Sequence, residues 1–291
     1  VPETTADTTT IEVADRVWVV RHAWYDVNVT AVAGDRGLLL VDTHASSEAF
    51  GEVLHAVRRV TRAPLVEVVN THVHVDHVLG NAAAREAGDG VVVTAHEGAA
   101  EGFVAHLEGR QRHAVEHGHD RAAEMAASTP SPPDRTFSSV AVVDLGDRAV
   151  ELVHPGRGHT AGDLVCRLRE PGGADVLLAG DLVEESGHPA WGDDSFPMEW
   201  PLTLDLVTGL ATPDTVVVPG HGAPVDLDFV TEQRAAIGVV AETIRDLASR
   251  GVPVAEALDA GDWPYPAEVL AHAVRRGYEH LPRSQKRLPL L

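Results

Sequence analysis

Short apolar runs set the frame of the first half of the chain. Val17-Trp18-Val19-Val20, Val27-Asn28-Val29-Thr30-Ala31-Val32 and Leu38-Leu39-Leu40-Val41 are strand-length and rich in β-branched or aliphatic residues. They predict three antiparallel strands, and Gly34-Asp35-Arg36-Gly37 supplies a turn between the last two. Residues Val1 to Thr10 are polar and read as frayed. After Val41-Asp42-Thr43-His44 the period lengthens: Phe50, Val53, Leu54 and Val57 fall at helical spacing, with Ser46 or Ser47 as cap and an end near Thr61. The strand-then-helix rhythm then repeats. Leu65 to Val69 predicts a buried strand, Val78 to Ala87 a helix ended by Gly88, and Gly90 to Thr94 another strand, with a helix beginning near His96.

From about Ala105 to Ala127 the pattern is helical but polar, and Ser128-Thr129-Pro130-Ser131-Pro132-Pro133 breaks it. This predicts an inserted helix and loop over about 105–135, either a lid or a plain solvated helix. A second β-rich half follows at 140–143, 149–153, 164–168, 176–179 and 215–218. Helices close the chain over about 226–280: Ile237, Val240, Ala241, Ile244, Leu247 and Ala248 form one buried stripe up to Gly251, and Ala267 to Arg276 suggests another helix. With no linker in view, residues 1–291 read as a single domain. The halves look alike, strands first and helix last, which predicts a pseudo-symmetric α/β sandwich of two sheets with helices outside.

Against this frame His72-Val73-His74-Val75-Asp76-His77 stands out, because packing does not call for three imidazoles and a carboxylate within six residues. It lies where a strand runs into a helix. Alternate residues of an extended segment share a face, so His72, His74 and Asp76 point one way and His77 turns off as the helix begins. Three more polar tips occur at strand ends in the second half: His159 within Pro155-Gly156-Arg157-Gly158-His159-Thr160-Ala161-Gly162-Asp163, Asp181 directly after Ala179-Gly180, and His221 between Gly220 and Gly222. Glycines suit loops that must aim one ligand. Imidazole and carboxylate donors fit zinc, with iron and manganese also accepted.

Composition narrows the partners. The net charge of -21 argues against nucleic acid or an anionic membrane surface, both of which need a basic footprint. That leaves a small-molecule substrate, with self-association into a homo-oligomer left open. One cysteine, Cys166, precludes an internal disulfide and reads as a buried structural thiol. No apolar run is long enough to span a bilayer and no secretory signal is visible, although the chain begins at Val1 without an initiator Met. A cytoplasmic location is the default expectation.

The run His72-x-His74-x-Asp76-His77, followed in order by His159, Asp181 and His221, resembles the metallo-β-lactamase superfamily from about Val17 to the helix after His221. The resemblance implies an αββα four-layer sandwich with a site on one edge. It implies that His72, His74 and His159 hold one metal, that Asp76, His77 and His221 hold the other, and that Asp181 bridges them. Two Zn2+ ions per chain sharing a hydroxide would then make a hydrolase, with Asp76 passing a proton to the leaving group. True zinc β-lactamases generally lack the bridging aspartate. Its presence favours the hydrolases that resemble glyoxalase II and the lactonases, acting on a small ester, thioester, lactone or amide. The lactonases' tyrosine shortly after that aspartate is missing, and Glu184 occupies its neighbourhood. A mononuclear iron enzyme resembling the persulfide dioxygenases, or a β-lactamase, is the alternative.

Around the ligands, Asp42 resembles the family's early aspartate, which supports the metal-binding loop from behind. The stretch Glu184 to Leu202 gathers Trp191, Phe196 and Trp200 in a chain that is only 4% aromatic. It reads as a substrate-binding wall or as a satellite core under a long loop. Trp24 and Tyr25 are further candidates for the mouth of the site, and His44 and His22, at predicted strand ends, read as surface histidines or as substrate contacts. Thr160 and Asp163 are expected to shape the His159 loop.

Overall fold

The computed structural model describes residues 3–4, 7–169, 172–282 and 285–286. The first half contains β1 (Glu3–Thr4), β2 (Thr8–Ala14), β3 (Val17–His22), β4 (Val27–Gly34), β5 (Gly37–Val41), α1 (Ser47–Val60), β6 (Leu65–Asn70), α2 (Val75–Val78), α3 (Asn81–Glu86) and β7 (Val92–His96). Then come α4 (Glu97–Ala100), α5 (Phe103–Glu116), α6 (Ala122–Ala127) and β8 (Arg135–Phe137). The second half holds β9 (Val140–Asp144), β10 (Ala149–Val153), β11 (Val165–Leu168), β12 (Val176–Glu184), α7 (Trp200–Leu210), β13 (Val216–His221), α8 (Leu227–Ser249), α9 (Val254–Ala260) and α10 (Ala267–His280).

Strand pairing yields two sheets. One runs β1-β2-β3-β4-β5-β6-β7-β8 and the other β13-β12-β11-β10-β9, and the single pair His221 with Val27 joins them. Side chains alternate across each strand and so fill three layers. Leu39 and Val41 of β5 meet Val176 and Leu178 of β12 in an inter-sheet core, which also takes in Cys166 and Val218. Leu38 and Leu40 point the other way, onto Phe50, Val53 and Val57 of α1. Leu177, Ala179 and Val217 lie under Leu204 of α7, Ile237 and Ile244 of α8 and Leu270 of α10. Full burial of each such side chain is worth roughly 1.5–3 kcal/mol, so these three layers carry most of the fold's stabilisation. The order helix, sheet, sheet, helix is the expected αββα sandwich. Cys166 is fully buried, and burial pushes its thiol pKa well up.

Several boundaries differ from the sequence expectation. Thr8 to Thr10 are not frayed: they pair with Val20 to His22. The predicted 78–87 helix is split into α2 and α3 around Gly80, because Gly80 packs against the turn after β5 and its N–H donates to the His44 carbonyl at 3.1 Å. The predicted 105–127 helix breaks after Glu116, with Gly118 and Arg121 in the left-handed region. Residues 200–210, unassigned by pattern, form α7, with Trp200, Leu204 and Val207 buried at helical spacing. Helix α1 agrees closely: Ser46 caps it by accepting from the Ala49 N–H at 3.0 Å. Among the described residues, no helix is long and apolar enough to cross a membrane.

Gly80 is the position where a side chain is least tolerable. A Cβ there would land on the Thr43 carbonyl oxygen and lie 2.8 Å from the Phe50 Cβ. Backbone cannot give way as a flexible side chain can. Gly80→Ala is expected to lower stability by about 1–3 kcal/mol or more, read as an earlier midpoint in urea unfolding.

Candidate metal centre

The site lies on the seam between the sheets, and five chain segments feed it. Strand β6 ends at Asn70 and delivers His72 and His74, and α2 presents Asp76 and His77. His159 comes from the β10–β11 loop. Asp163 clasps that loop by accepting from the backbone N–H groups of Gly158 and Thr160 and from the Thr160 hydroxyl, at 2.6–3.0 Å. Thr160 and Asp163 therefore shape the loop, as the sequence suggested. Asp181 lies within β12, not after it. The register shifts on both sides of Gly180, whose φ is +53°, and this irregularity turns the carboxylate inward. His221 ends β13.

These seven side chains converge. Asp181 Oδ2 lies 3.3 Å from His159 Nε2, 3.6 Å from His72 Nε2 and 3.3 Å from His221 Nε2, and its Oδ1 is 3.2 Å from His77 Nε2. Asp76 Oδ2 is 3.3 Å from His221 Nε2 and 3.5 Å from His77 Nε2. The donors fall into two compact groups, His72, His74, His159 and Asp181, and Asp76, His77 and His221. Glu184 forms a further group with Asp181 and His221, and burial pushes its carboxyl pKa up to about 7.

The outward nitrogen of every histidine meets an oxygen acceptor. His77 Nδ1 donates to Asp42 Oδ2 at 2.8 Å, His159 Nδ1 to the Ala190 carbonyl at 2.9 Å, and His221 Nδ1 to the Tyr25 carbonyl at 2.7 Å. His74 Nε2 donates to Asp194 Oδ2 at 3.0 Å. His72 Nδ1 lies 3.0 Å from the Thr71 hydroxyl, which itself donates to Asp42 Oδ2 at 2.8 Å. A proton on each outer nitrogen leaves the inner one with its lone pair facing the centre. Inner nitrogens consequently face one another, with His159 Nε2 2.7 Å from His74 Nδ1 and His77 Nε2 3.4 Å from His221 Nε2. Buried His72 Nε2 and Asp181 Oδ1 have no hydrogen-bond partner. Unpartnered polar atoms in the interior are costly, and a cation between them removes the cost. The donor set fits divalent metal.

Electrostatics among the protein groups agrees. Burial disfavours every charge here, yet His77 and His221 hold the Asp76 and Asp181 carboxyls well below their usual range, and those carboxylates hold both imidazoles well above theirs. Burial, and then nearby His77, push His72 well down; burial and His74 push His159 down to about 4. His72 and His159 are thus neutral donors, and a divalent cation would take the place of the protons that Asp76 and Asp181 hold on His77 and His221.

The candidates for the mouth separate. A cleft of about 640 Å³ opens over His74, Asp76, His159, Asp181 and His221, with Trp191, Glu184 and His272 in its walls. Trp200 is not a wall: it is fully buried, and its ring lies 5.8 Å from that of His159, so it backs the ligand and cannot reach a substrate. Phe196 faces away, stacked on His280 beneath the Arg157 guanidinium. His44 is fully buried between His22 and Trp24, and Trp24 lies under Arg121; neither lines the cleft. Tyr25, next along the chain, lines a smaller recess of about 240 Å³ with His74 and Asp76. The sequence did not mark Ala190 or the Tyr25 carbonyl, since a backbone acceptor leaves no residue signature. Asp194 was visible only as charge in an aromatic loop.

Asp42 has the position expected of it, behind the loop: its carboxylate accepts from the Thr71 N–H, the Thr71 hydroxyl and His77 Nδ1, each at 2.8 Å. Asp42→Asn keeps the shape but loses an acceptor. It is expected to weaken metal affinity by about 10–100-fold, measured by competition with a chromophoric chelator.

The geometry can now be set beside known proteins. A metallo-beta-lactamase type 2 of Bacillus cereus is 25% identical over 189 residues, covering 64% of this chain and 63% of that protein. The counterpart of Bacillus sp. (strain 170) matches to the same extent. The chain thus spans 63% of the length of these curated relatives. A metallo-beta-lactamase from Pontibacter korlensis has the same fold, with TM-score 0.60 and 23% identity over 79% of this chain and 99% of that one. The sec-alkylsulfatase Pisa1 from Pseudomonas sp. superposes with TM-score 0.69 and 19% identity, over 93% of this chain but 49% of the sulfatase. The sequence profile described as metallo-beta-lactamase superfamily matches residues 22–221, a stretch that runs from the end of β3 to the last histidine of the site, and the chain belongs to that superfamily.

Proposed function

We propose that the protein is a hydrolase using two divalent cations, zinc by donor chemistry, on a small-molecule ester, thioester, lactone or amide. His72, His74 and His159 would hold one cation, Asp76, His77 and His221 the other, and Asp181 both. The observation that carries this reading is Asp181: its two oxygens reach imidazoles of both groups within 3.6 Å. Superfamily membership supports it, since members are mostly hydrolytic enzymes. Bound zinc lowers the pKa of water from about 15.7 toward 7 and polarises a substrate oxygen.

The chain's own residues do the rest. The cleft is of small-molecule size. Its walls carry Glu184, Glu268 and imidazoles in a chain of net charge -21, a lining better suited to a neutral or cationic substrate than to an anion. Asp76 borders both the cleft and the recess beside Tyr25, a position from which a carboxylate can pass a proton to a departing group. The 25% identity to type 2 metallo-beta-lactamases supports β-lactam hydrolysis as a second reading; Asp181 weighs toward the ester and thioester class.

Metal analysis tests the centre. About two zinc ions per chain are expected; one iron would favour the persulfide-dioxygenase-like alternative, and no metal would end the proposal. A parallel screen of thioester, lactone and β-lactam substrates tests the class, and efficient hydrolysis of β-lactams alone would reverse the ranking. Asp76→Asn is expected to lose most of the activity, by about 10²-fold or more, and part of its metal. A variant with full metal content and full activity would strip Asp76 of both roles.

A further inference from the structure

Beyond the central seven residues, one more set of donors converges at the rim. His74, His106 of α5 and Asp194 each offer a ligand atom, and these atoms lie within 4.8 Å of one another. His106 Nε2 and Asp194 Oδ1 are both buried and have no hydrogen-bond partner. The rings of His74 and His106 lie nearly parallel, at 17° with centroids 6.1 Å apart. Asp194 is already bound through its other oxygen to His74 Nε2 at 3.0 Å. Arg110, one turn beyond His106, pairs with Asp193 at 3.0 Å, which offsets its charge and ties α5 to the loop that carries Asp194.

We propose that His74, His106 and Asp194 form an outer site for a borderline divalent cation such as zinc, sharing His74 with the central pair. Two imidazoles and a carboxylate are a zinc-type donor set with room for water as a fourth ligand. Two otherwise costly buried atoms, one nitrogen and one oxygen, gain a partner when the cation binds. The shared ring sets the behaviour. A neutral imidazole has one lone pair, which His74 directs through Nδ1 at the centre while its Nε2–H serves Asp194. A cation at the outer site displaces that proton to water, so that His74 bridges as an imidazolate, and the cost of this further deprotonation makes the outer site the weaker of the two. It fills when cation is in excess and draws on the grip of the His72, His74 and His159 group.

The test is equilibrium dialysis of the full chain against rising concentrations of zinc alone, with bound metal counted directly. The inference rests on the two-metal reading only in taking His74 as shared. Wild-type protein is expected to take up about one equivalent beyond its tight sites, and His106→Ala to lose that equivalent while the tight sites still fill. His113→Ala/His117→Ala, which removes exposed imidazoles near the end of α5, is expected to keep it. Equal extra uptake by wild type and His106→Ala overturns the outer site and leaves the two-metal centre standing. Loss of the extra equivalent in the double variant instead also overturns it. Absence of tight uptake in every protein would remove the centre, and the shared site with it.

Discussion

A single buried carboxylate fixes the geometry of the centre. Asp42, 2% exposed, follows directly after β5 with a φ of +69°, a strained conformation for a non-glycine residue. Burial raises its pKa, and three donors, two from Thr71 just after β6 and one from His77 of α2, offset that cost. One oxygen accepts the Thr71 N–H, and the other accepts the Thr71 hydroxyl and His77 Nδ1. His72 takes its orientation from the same hydroxyl. One charge thereby sets the direction of a histidine in each of the two donor groups. If Asp42 moved, His77 and His72 would turn together, and the inner nitrogens would no longer face Asp181.

The second constraint is the seam. The strand ladders of the two sheets meet at Val27 and His221, the Gly222 N–H donates to the Asp26 carbonyl at 3.1 Å, and side chains reinforce that join. Asn28 donates to the carbonyls of Pro219 and Gly222 at 3.0 and 2.9 Å, and the Tyr25 carbonyl accepts from His221 Nδ1. The β3–β4 turn from the first half therefore positions a ligand of the second. The geometry of the donor set depends on the two sheets being held in one relation, which three apolar layers provide and this narrow join registers.

How much of this was legible in the residues follows from the kind of signal each feature leaves. His72, His74, Asp76 and His77 stand in one short run, and the glycines around His159 and His221 mark aimed loops, so the convergence of seven donors could be anticipated. Helix α1 carried both a cap and a stripe and was bounded within a residue. Helix α7 was obscured because its buried Trp200 belonged to an aromatic cluster that reads equally as a ligand wall. The split at Gly80 depends on a close approach to Thr43, residues apart in sequence, and periodicity carries no trace of it. Outer-nitrogen partners divide the same way: Asp42 has a side chain to read, whereas the carbonyls of Ala190 and Tyr25 have none.

The inserted segment is best understood by asking what holds it. Phe103, Leu107, Ala114 and Met125 are buried against Val78 and Leu79, at the C-terminal side of the metal-binding run. The larger of these side chains contribute roughly 1.5–3 kcal/mol each. Its ion pairs, Arg121 with Glu52 and Glu124 and Arg110 with Asp193, are partly exposed and add about 1 kcal/mol or less apiece. Apolar burial thus dominates, and the insert is a fixed roof over α2 with Arg110, His113 and His119 turned to the recess beside Tyr25. The same packing that secures α2, and with it Asp76 and His77, also sets His106 beside His74. Because the roof packs on the very residues that follow the ligands, a change in its apolar face would be transmitted to the centre through α2 before it altered access.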